Sequence, residues 1–167
     1  MIIALSGFMK CGKSTFGKRA ATLMEWRFID LDELISSEYG PVSAIFAQRG
    51  EAYFRQVETS MLEKALLTAE NTILSLGGGT VLAPENRTLL KEKALTVWIN
   101  TSTNLILNGI NDSTDRPLIS GKSMEEILAL FNERVPIYKS CADRIIDVTD
   151  EKSVEDVAKE IEAVLKA

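Results

Sequence analysis

The 167-residue chain has no histidine and only two cysteines, Cys11 and Cys141. These shortages remove most zinc sites and most Ser-His or Cys-His schemes. The two cysteines lie far apart and form no Cys-x-x-Cys pair, which fits a reduced, cytoplasmic setting. Positive charge is in deficit, with 19 Lys and Arg against 24 Asp and Glu for a net charge of −5. That argues against a nucleic-acid partner, whose binding would rest on a surplus of Lys and Arg. It leaves room for an anion site, because a few arginines focused in a cleft outweigh the average surface. No apolar run approaches the roughly 20 residues that span a bilayer. The opening MIIALSG is also too short and too poor in basic residues for a signal peptide, so it reads as a first strand and no membrane partner is expected. Low-complexity tracts, repeats and linkers are absent too. With 46% hydrophobic and 26% charged residues, the expectation is one globular domain over residues 1–167, with an acidic surface that fits a monomer.

What the chain does contain is alternation. Short apolar runs at IIALS (2–6), RFIDLD (27–32), NTILSLGGG (71–79), ALTVWIN (94–100) and RIIDVT read as strands. Between them, helical spacing begins at Ser14 and continues through SAIFAQRGEAYFRQVETSMLEKALLTA in two pieces, with Gly50 as the joint. PENRTLLKEK starts a helix at Pro84. TSTNLILNGI is a weaker helix, and MEEILALFNERVPIYKSC is helical until Pro136 bends or ends it. The closing SVEDVAKEIEAVLKA puts Val154, Val157, Ala158, Ile161 and Leu165 on one face. Five strands alternating with helices predict an α/β fold: a five-stranded parallel sheet with helices on both faces. Sites in such sheets lie beyond the carboxyl ends of the strands.

The first of those ends carries LSGFMKCGKST. Gly7, Gly12, Lys13 and Ser14 match the phosphate-loop pattern G-x-x-x-x-G-K-[ST]. The glycines let successive N–H groups face an anion and the following helix adds its positive end. Lys13 reaches the β and γ phosphates of a nucleotide, and the Ser14 hydroxyl meets Mg²⁺. Thr15 follows in the same turn. Lys10 and Cys11 fill x positions: Cys11 as a small residue that fits or as a thiol tuned by the helix end, Lys10 as a rim charge or as a second phosphate lysine.

Mg²⁺ in such proteins is often steadied by a strand-end aspartate. Asp30 and Asp32 offer one, two residues apart and so pointing the same way along a strand; Asp147 competes, and helix capping is the structural alternative for the pair. No Asn-Lys-x-Asp base-reading motif occurs, and the chain is small for an ATPase motor. Phosphoryl transfer to a small molecule is therefore expected, with acceptor-binding groups outside the loop. Arg55, which shares a helix face with Glu58, and Arg134 and Arg116 are candidates, since arginine pairs with carboxylate or phosphate through two hydrogen bonds. Arg116 lies in the polar stretch 111–123, long enough to be a lid.

The ordered set GFMKCGKST, FIDLDELI, IFAQRGEAYFRQVE, LSLGGGTV, DRPLI and ERVPIYKSCAD resembles the shikimate kinases across nearly the whole length. That resemblance implies a three-layer P-loop kinase fold, with a lid at about 110–123 and a substrate-binding helical part at about 32–62. It also implies transfer of the γ-phosphoryl of ATP to the 3-hydroxyl of shikimate. By match, Arg55 and Arg134 would clamp the substrate carboxylate, with Glu58 orienting the arginines. Asp32 would accept from the ring hydroxyls, and Gly77, Gly78 and Gly79 would present backbone N–H groups. Lys13 and Arg116 would carry transition-state charge; Ser14, with Asp30 through water, would hold Mg²⁺. Two departures stand out. Asn108 and Gly109 occupy the place of an arginine the family commonly carries before the lid, and Lys10 and Cys11 stand where it usually has Gly or Ala-type residues. Two alternatives remain: another small phosphate-loop kinase, for gluconate or a nucleoside monophosphate, or a nucleotide-binding module without catalysis.

Overall fold

The computed structural model describes residues 1–68, 70–111 and 120–166. Five strands form one parallel sheet: β1 (Ile2–Ser6), β2 (Arg27–Asp30), β3 (Thr72–Ser75), β4 (Leu95–Thr101) and β5 (Arg144–Val148), in the order β2-β3-β1-β4-β5. The helices are α1 (Lys13–Met24), α2 (Leu31–Tyr39), α3 (Val42–Ala65), α4 (Pro84–Lys93), α5 (Thr103–Asn111), α6 (Met124–Cys141) and α7 (Val154–Ala163). Parallel strands need crossover connections, which are right-handed almost without exception. The step from β1 to β2 runs one way along the sheet, and those from β2 to β3, β3 to β4 and β4 to β5 run the other way. Right-handed crossovers then put α1 on one face and α3, α4 and α6 on the opposite one. Packing agrees: α7 lies against α1, whereas α3 touches α4 and α6 touches β4.

β1, the central strand, is buried at every position, and Ile3, Leu5, Ile73, Leu74, Val97 and Ile99 form a core nearly or fully closed to solvent. Register makes the three adjoining strand ends level. Ser75 pairs with Leu5 on one side and with Asp30 on the other. Adjacent strands lie about 4.8 Å apart, so whatever follows Ser6, Asp30 and Ser75 converges beyond one edge of the sheet.

Several sequence expectations shift. The second strand ends at Asp30 rather than 32, because the Asp30 carboxylate accepts from the amides of Asp32 (3.0 Å) and Glu33 (3.2 Å) and starts α2. Asp32 therefore sits in the first helical turn and does not alternate with Asp30 along a strand. The third strand stops at Ser75, and a single 3-10 turn, Thr80–Leu82, follows the glycines. Gly50 is the joint expected within α3, at φ 83°. Helix α6 continues through Pro136 to Cys141. A mid-helix proline frees the carbonyl four residues earlier, here that of exposed Asn132, where water can reach it, while Phe131, Arg134 and Tyr138 bury the opposite face. In the closing helix Val157, Ala158 and Ile161 are buried, but Val154 and Leu165 are exposed, the latter because the α-helix ends at Ala163. The polar stretch predicted as a lid falls largely within residues 112–119, outside the described residues.

Candidate active site

Beyond Ser6 the chain curls through Gly7 (φ 151°), Lys10 (φ 60°) and Gly12 (φ 95°) before entering α1 at Lys13. Those left-handed angles wrap the loop around the N-terminal end of the helix, where amides without helical acceptors and the positive end of the dipole favour an anion. A cavity of about 350 Å³ opens there, lined by Lys10, Gly12, Lys13, Ser14, Asp30 and Asp32 among others. Lys13 is almost buried, and its ammonium donates to the carbonyls of Gly7 (2.8 Å) and Phe8 (2.9 Å). Its Nζ is also 3.5 Å from the Cys11 sulfur. Cys11 itself is buried under the loop, as a small residue that fits, and its carbonyl accepts from Thr101 Oγ1 at 2.7 Å, tying the loop to the end of β4.

Ser14 Oγ donates to Asp30 Oδ2 and lies 3.3 Å from Ser75 Oγ. Asp30 thus uses one oxygen on Ser14 and the other as the cap of α2. Hydroxyl and carboxylate oxygens suit a small hard cation, and Mg²⁺ keeps much of its shell as water and phosphate oxygen. The described residues contain no cluster of three or more His, Cys, Asp or Glu side chains that would form a complete protein cage. The donor set therefore fits Mg²⁺ arriving with a nucleotide. Asp147 is exposed on edge strand β5, two strands from β1, and accepts from Asn100 at 2.8 Å.

Next to the cavity stand the groups that the loop does not explain. Glu58 on α3 is 1% exposed. It accepts from Arg55 Nη1 at 2.7 Å and from Thr80 Oγ1 at 2.8 Å. Its carboxyl is nonetheless pushed above the usual carboxylate range, because burial penalises its charge more than Arg55 rewards it. The glycine turn fits around these side chains. A methyl group at Gly77 would lie 2.8 Å from Glu58 Oε2 and 3.1 Å from Asp32 Oδ1, and one at Gly79 would meet Arg55 Nη1 at 2.6 Å. Bare backbone is what allows Asp32, Arg55 and Glu58 to crowd the turn.

Arg134 closes the group from α6. It is 5% exposed, its Nη1 is 3.4 Å from the Gly78 carbonyl, and its guanidinium sits 5.6 Å from the centre of the Phe8 ring. Its Nε has no acceptor among the described residues. A buried donor with nothing to bond is costly, so an incoming acceptor such as a carboxylate is favoured there.

The structure brings Asp30, Asp32, Arg55, Glu58, the three glycines and Arg134 to the same edge of the sheet as Gly7, Lys10, Gly12, Lys13, Ser14 and Thr15. Arg116 lies outside the described residues. Sequence inspection missed Thr80, Ser75 and Tyr138. Tyr138 is fully buried, donates to the Gly78 carbonyl at 2.5 Å and stacks on Trp98, and burial raises its hydroxyl pKa. Its spacing of four from Arg134 was the available signal, because i and i+4 share a helix face.

Known proteins match this chain in sequence and in fold. A family model described as shikimate kinase matches residues 9–166. A shikimate kinase of Moorella thermoacetica is 40% identical over 168 residues, covering 99% of this chain and 94% of that protein. One from Dictyoglomus turgidum is 36% identical over 163 residues, covering 95% and 94%. Among solved structures, shikimate kinase from Acinetobacter baumannii in complex with shikimate superposes with a TM-score of 0.92 at 30% identity, covering 99% of this chain and 92% of that one. That from Aquifex aeolicus gives 0.81 at 33%, covering 99% and 96%.

Proposed function

This chain belongs to the shikimate kinase family, and from that premise we propose how its residues perform the ATP-dependent phosphorylation of shikimate. The observation that carries the assignment is the glycine turn set between Arg55 and Arg134, one strand away from the phosphate loop. Shikimate is a small acid with neighbouring hydroxyls. Its carboxylate is taken by Arg55 and Arg134, the latter through the donor edge that includes unpaired Nε. Glu58 acts one layer back, holding the Arg55 guanidinium, and is itself fixed by the hydroxyl of Thr80. Amides of the glycine turn and Asp32 address the hydroxyls, so that the 3-hydroxyl faces the loop.

On the donor side, amides from Gly7 to Thr15 cradle the ATP phosphates. Lys13, released from the Gly7 and Phe8 carbonyls, meets the charge that develops on the transferring phosphoryl group. Ser14 and Asp30 would hold Mg²⁺, which supplies neutralisation of phosphate charge. Phosphoryl transfer passes through a loose transition state, so alignment and charge matter more than a strong base. Asp32 accepts the hydroxyl proton as the O–P bond forms.

The proposal extends to a single-domain cytoplasmic monomer acting on small molecules. It is supported by the net charge of −5, which disfavours polyanionic partners. The test is ATP consumption with Mg²⁺ in the presence and absence of shikimate. Consumption is expected only with shikimate, and a rate indifferent to shikimate would overturn the assignment.

A further inference from the structure

Lys10 is an unusual residue for its backbone position. It is a non-glycine residue at φ 60°, the left-handed region that favours glycine, inside a loop whose other turning points, Gly7 and Gly12, are glycines. Strain of this kind persists where the surroundings or a function demand it. The surroundings here are specific. Lys10 is exposed and lines the phosphate cavity beside Lys13 and Ser14. On its other flank stands Gly109 of α5: a methyl group there would lie 3.3 Å from Lys10 Cβ and 3.5 Å from the Lys10 carbonyl oxygen. A side chain at 109 would press on the stem of Lys10, which glycine leaves unhindered between loop and helix. Helix α5, Thr103–Asn111, carries no charged residue, so it supplies no cation of its own to this side of the cavity.

We propose that Lys10 is a second polyphosphate-binding cation of the ATP site, with its stem seated against Gly109, so that the charge on this flank of the nucleotide comes from the loop and not from α5. The inference rests on the ATP-dependent kinase assignment and adds to it a specific affinity determinant. An exposed lysine contributes modestly, but in a cleft it meets the phosphates through charge-assisted hydrogen bonds.

The test is nucleotide binding by calorimetry, with Mg²⁺ and no shikimate, on the wild type, Lys10→Gly and Lys10→Arg. Lys10→Gly is expected to weaken ATP and ADP by about three- to tenfold and leave adenosine unchanged. It should flatten the salt dependence of ATP binding, since one charge contact is gone. Lys10→Arg should stay near wild type. Because glycine relieves the left-handed strain, the melting temperature of Lys10→Gly should be unchanged or higher. ATP affinity within twofold of wild type in Lys10→Gly would overturn the proposal, as would an equal loss for ATP and adenosine. Shikimate is absent throughout, so failure of the acceptor assignment would show separately, as ATP consumption indifferent to shikimate.

Discussion

Replacing Glu58 with glutamine should separate stability from substrate binding. Two opposing effects set the outcome. The charge-assisted bond to Arg55 at 2.7 Å is lost, worth about 1.5–3 kcal/mol. At the same time, the penalty of holding a carboxylate at 1% exposure disappears, and such penalties reach several kcal/mol per ion. The Glu58 pKa is raised although Arg55 is bonded to it, so desolvation outweighs attraction. Near pH 7 the substitution should therefore change stability by no more than about 1 kcal/mol, or raise it, which is about 2–4 °C in melting temperature for a chain this long. The sign of the pH dependence follows. Between the ordinary and the raised pKa the folded protein binds a proton that the unfolded chain has released. Wild-type stability therefore falls as pH rises through that window and then levels off. Glu58→Gln lacks this component, so its melting temperature relative to wild type should climb from pH 4 upward and reach a plateau. Scanning calorimetry of both proteins from pH 4 to 8 measures the difference, in which all other carboxylates cancel. Shikimate KM should rise at least fivefold across the same range, because Arg55 loses its anchor. A difference that fell with rising pH would refute the argument, because Glu58 would then be a carboxylate stabilised by its arginine.

Three further outcomes are expected. Gly79→Ala, whose methyl would lie 2.6 Å from Arg55 Nη1, should raise shikimate KM about tenfold or more with ATP KM unchanged, as read from steady-state kinetics. Arg134→Ala should weaken shikimate binding by a hundredfold or so, the scale of a lost charged hydrogen-bonding partner, and calorimetric titration with shikimate checks it. Lys13→Ala should lower kcat on the order of 10²–10³-fold while leaving shikimate affinity close to wild type, since its proposed role is to meet transition-state charge; single-turnover measurements with saturating ATP check it.

The sheet, its helices and the phosphate loop could be read from residue order, because period, glycine placement and the Gly-Lys-Ser motif are local signals. Contacts made across the fold were harder to read. Asp30 and Asp32 looked like two residues of one strand; only the cap hydrogen bonds from Asp32 and Glu33 reveal that the strand has already ended. Spacing alone puts Glu58 beside Arg55, yet its second partner, Thr80, comes from 22 residues away. Tyr138 resembles any core aromatic until its hydroxyl is seen to donate to the Gly78 carbonyl, 60 residues earlier. Nothing in a linear pattern marks which buried hydroxyl has a backbone carbonyl waiting for it.

The strand order has one more consequence. In the proposed assignment the donor machinery hangs from β1, at the centre of the sheet, while most acceptor groups hang from β2, β3, α2 and α3, and Arg134 reaches them from α6 on the β4 side. The two sets meet where level strand ends bring them together, with Asp30 and Ser75 touching Ser14 at the seam and Arg134 set against the Phe8 ring of the loop. Substitutions in α2, α3 and the glycine turn can alter which hydroxyl compound is held while the nucleotide cradle keeps its shape. The architecture is in that sense a fixed engine with a separate tool holder.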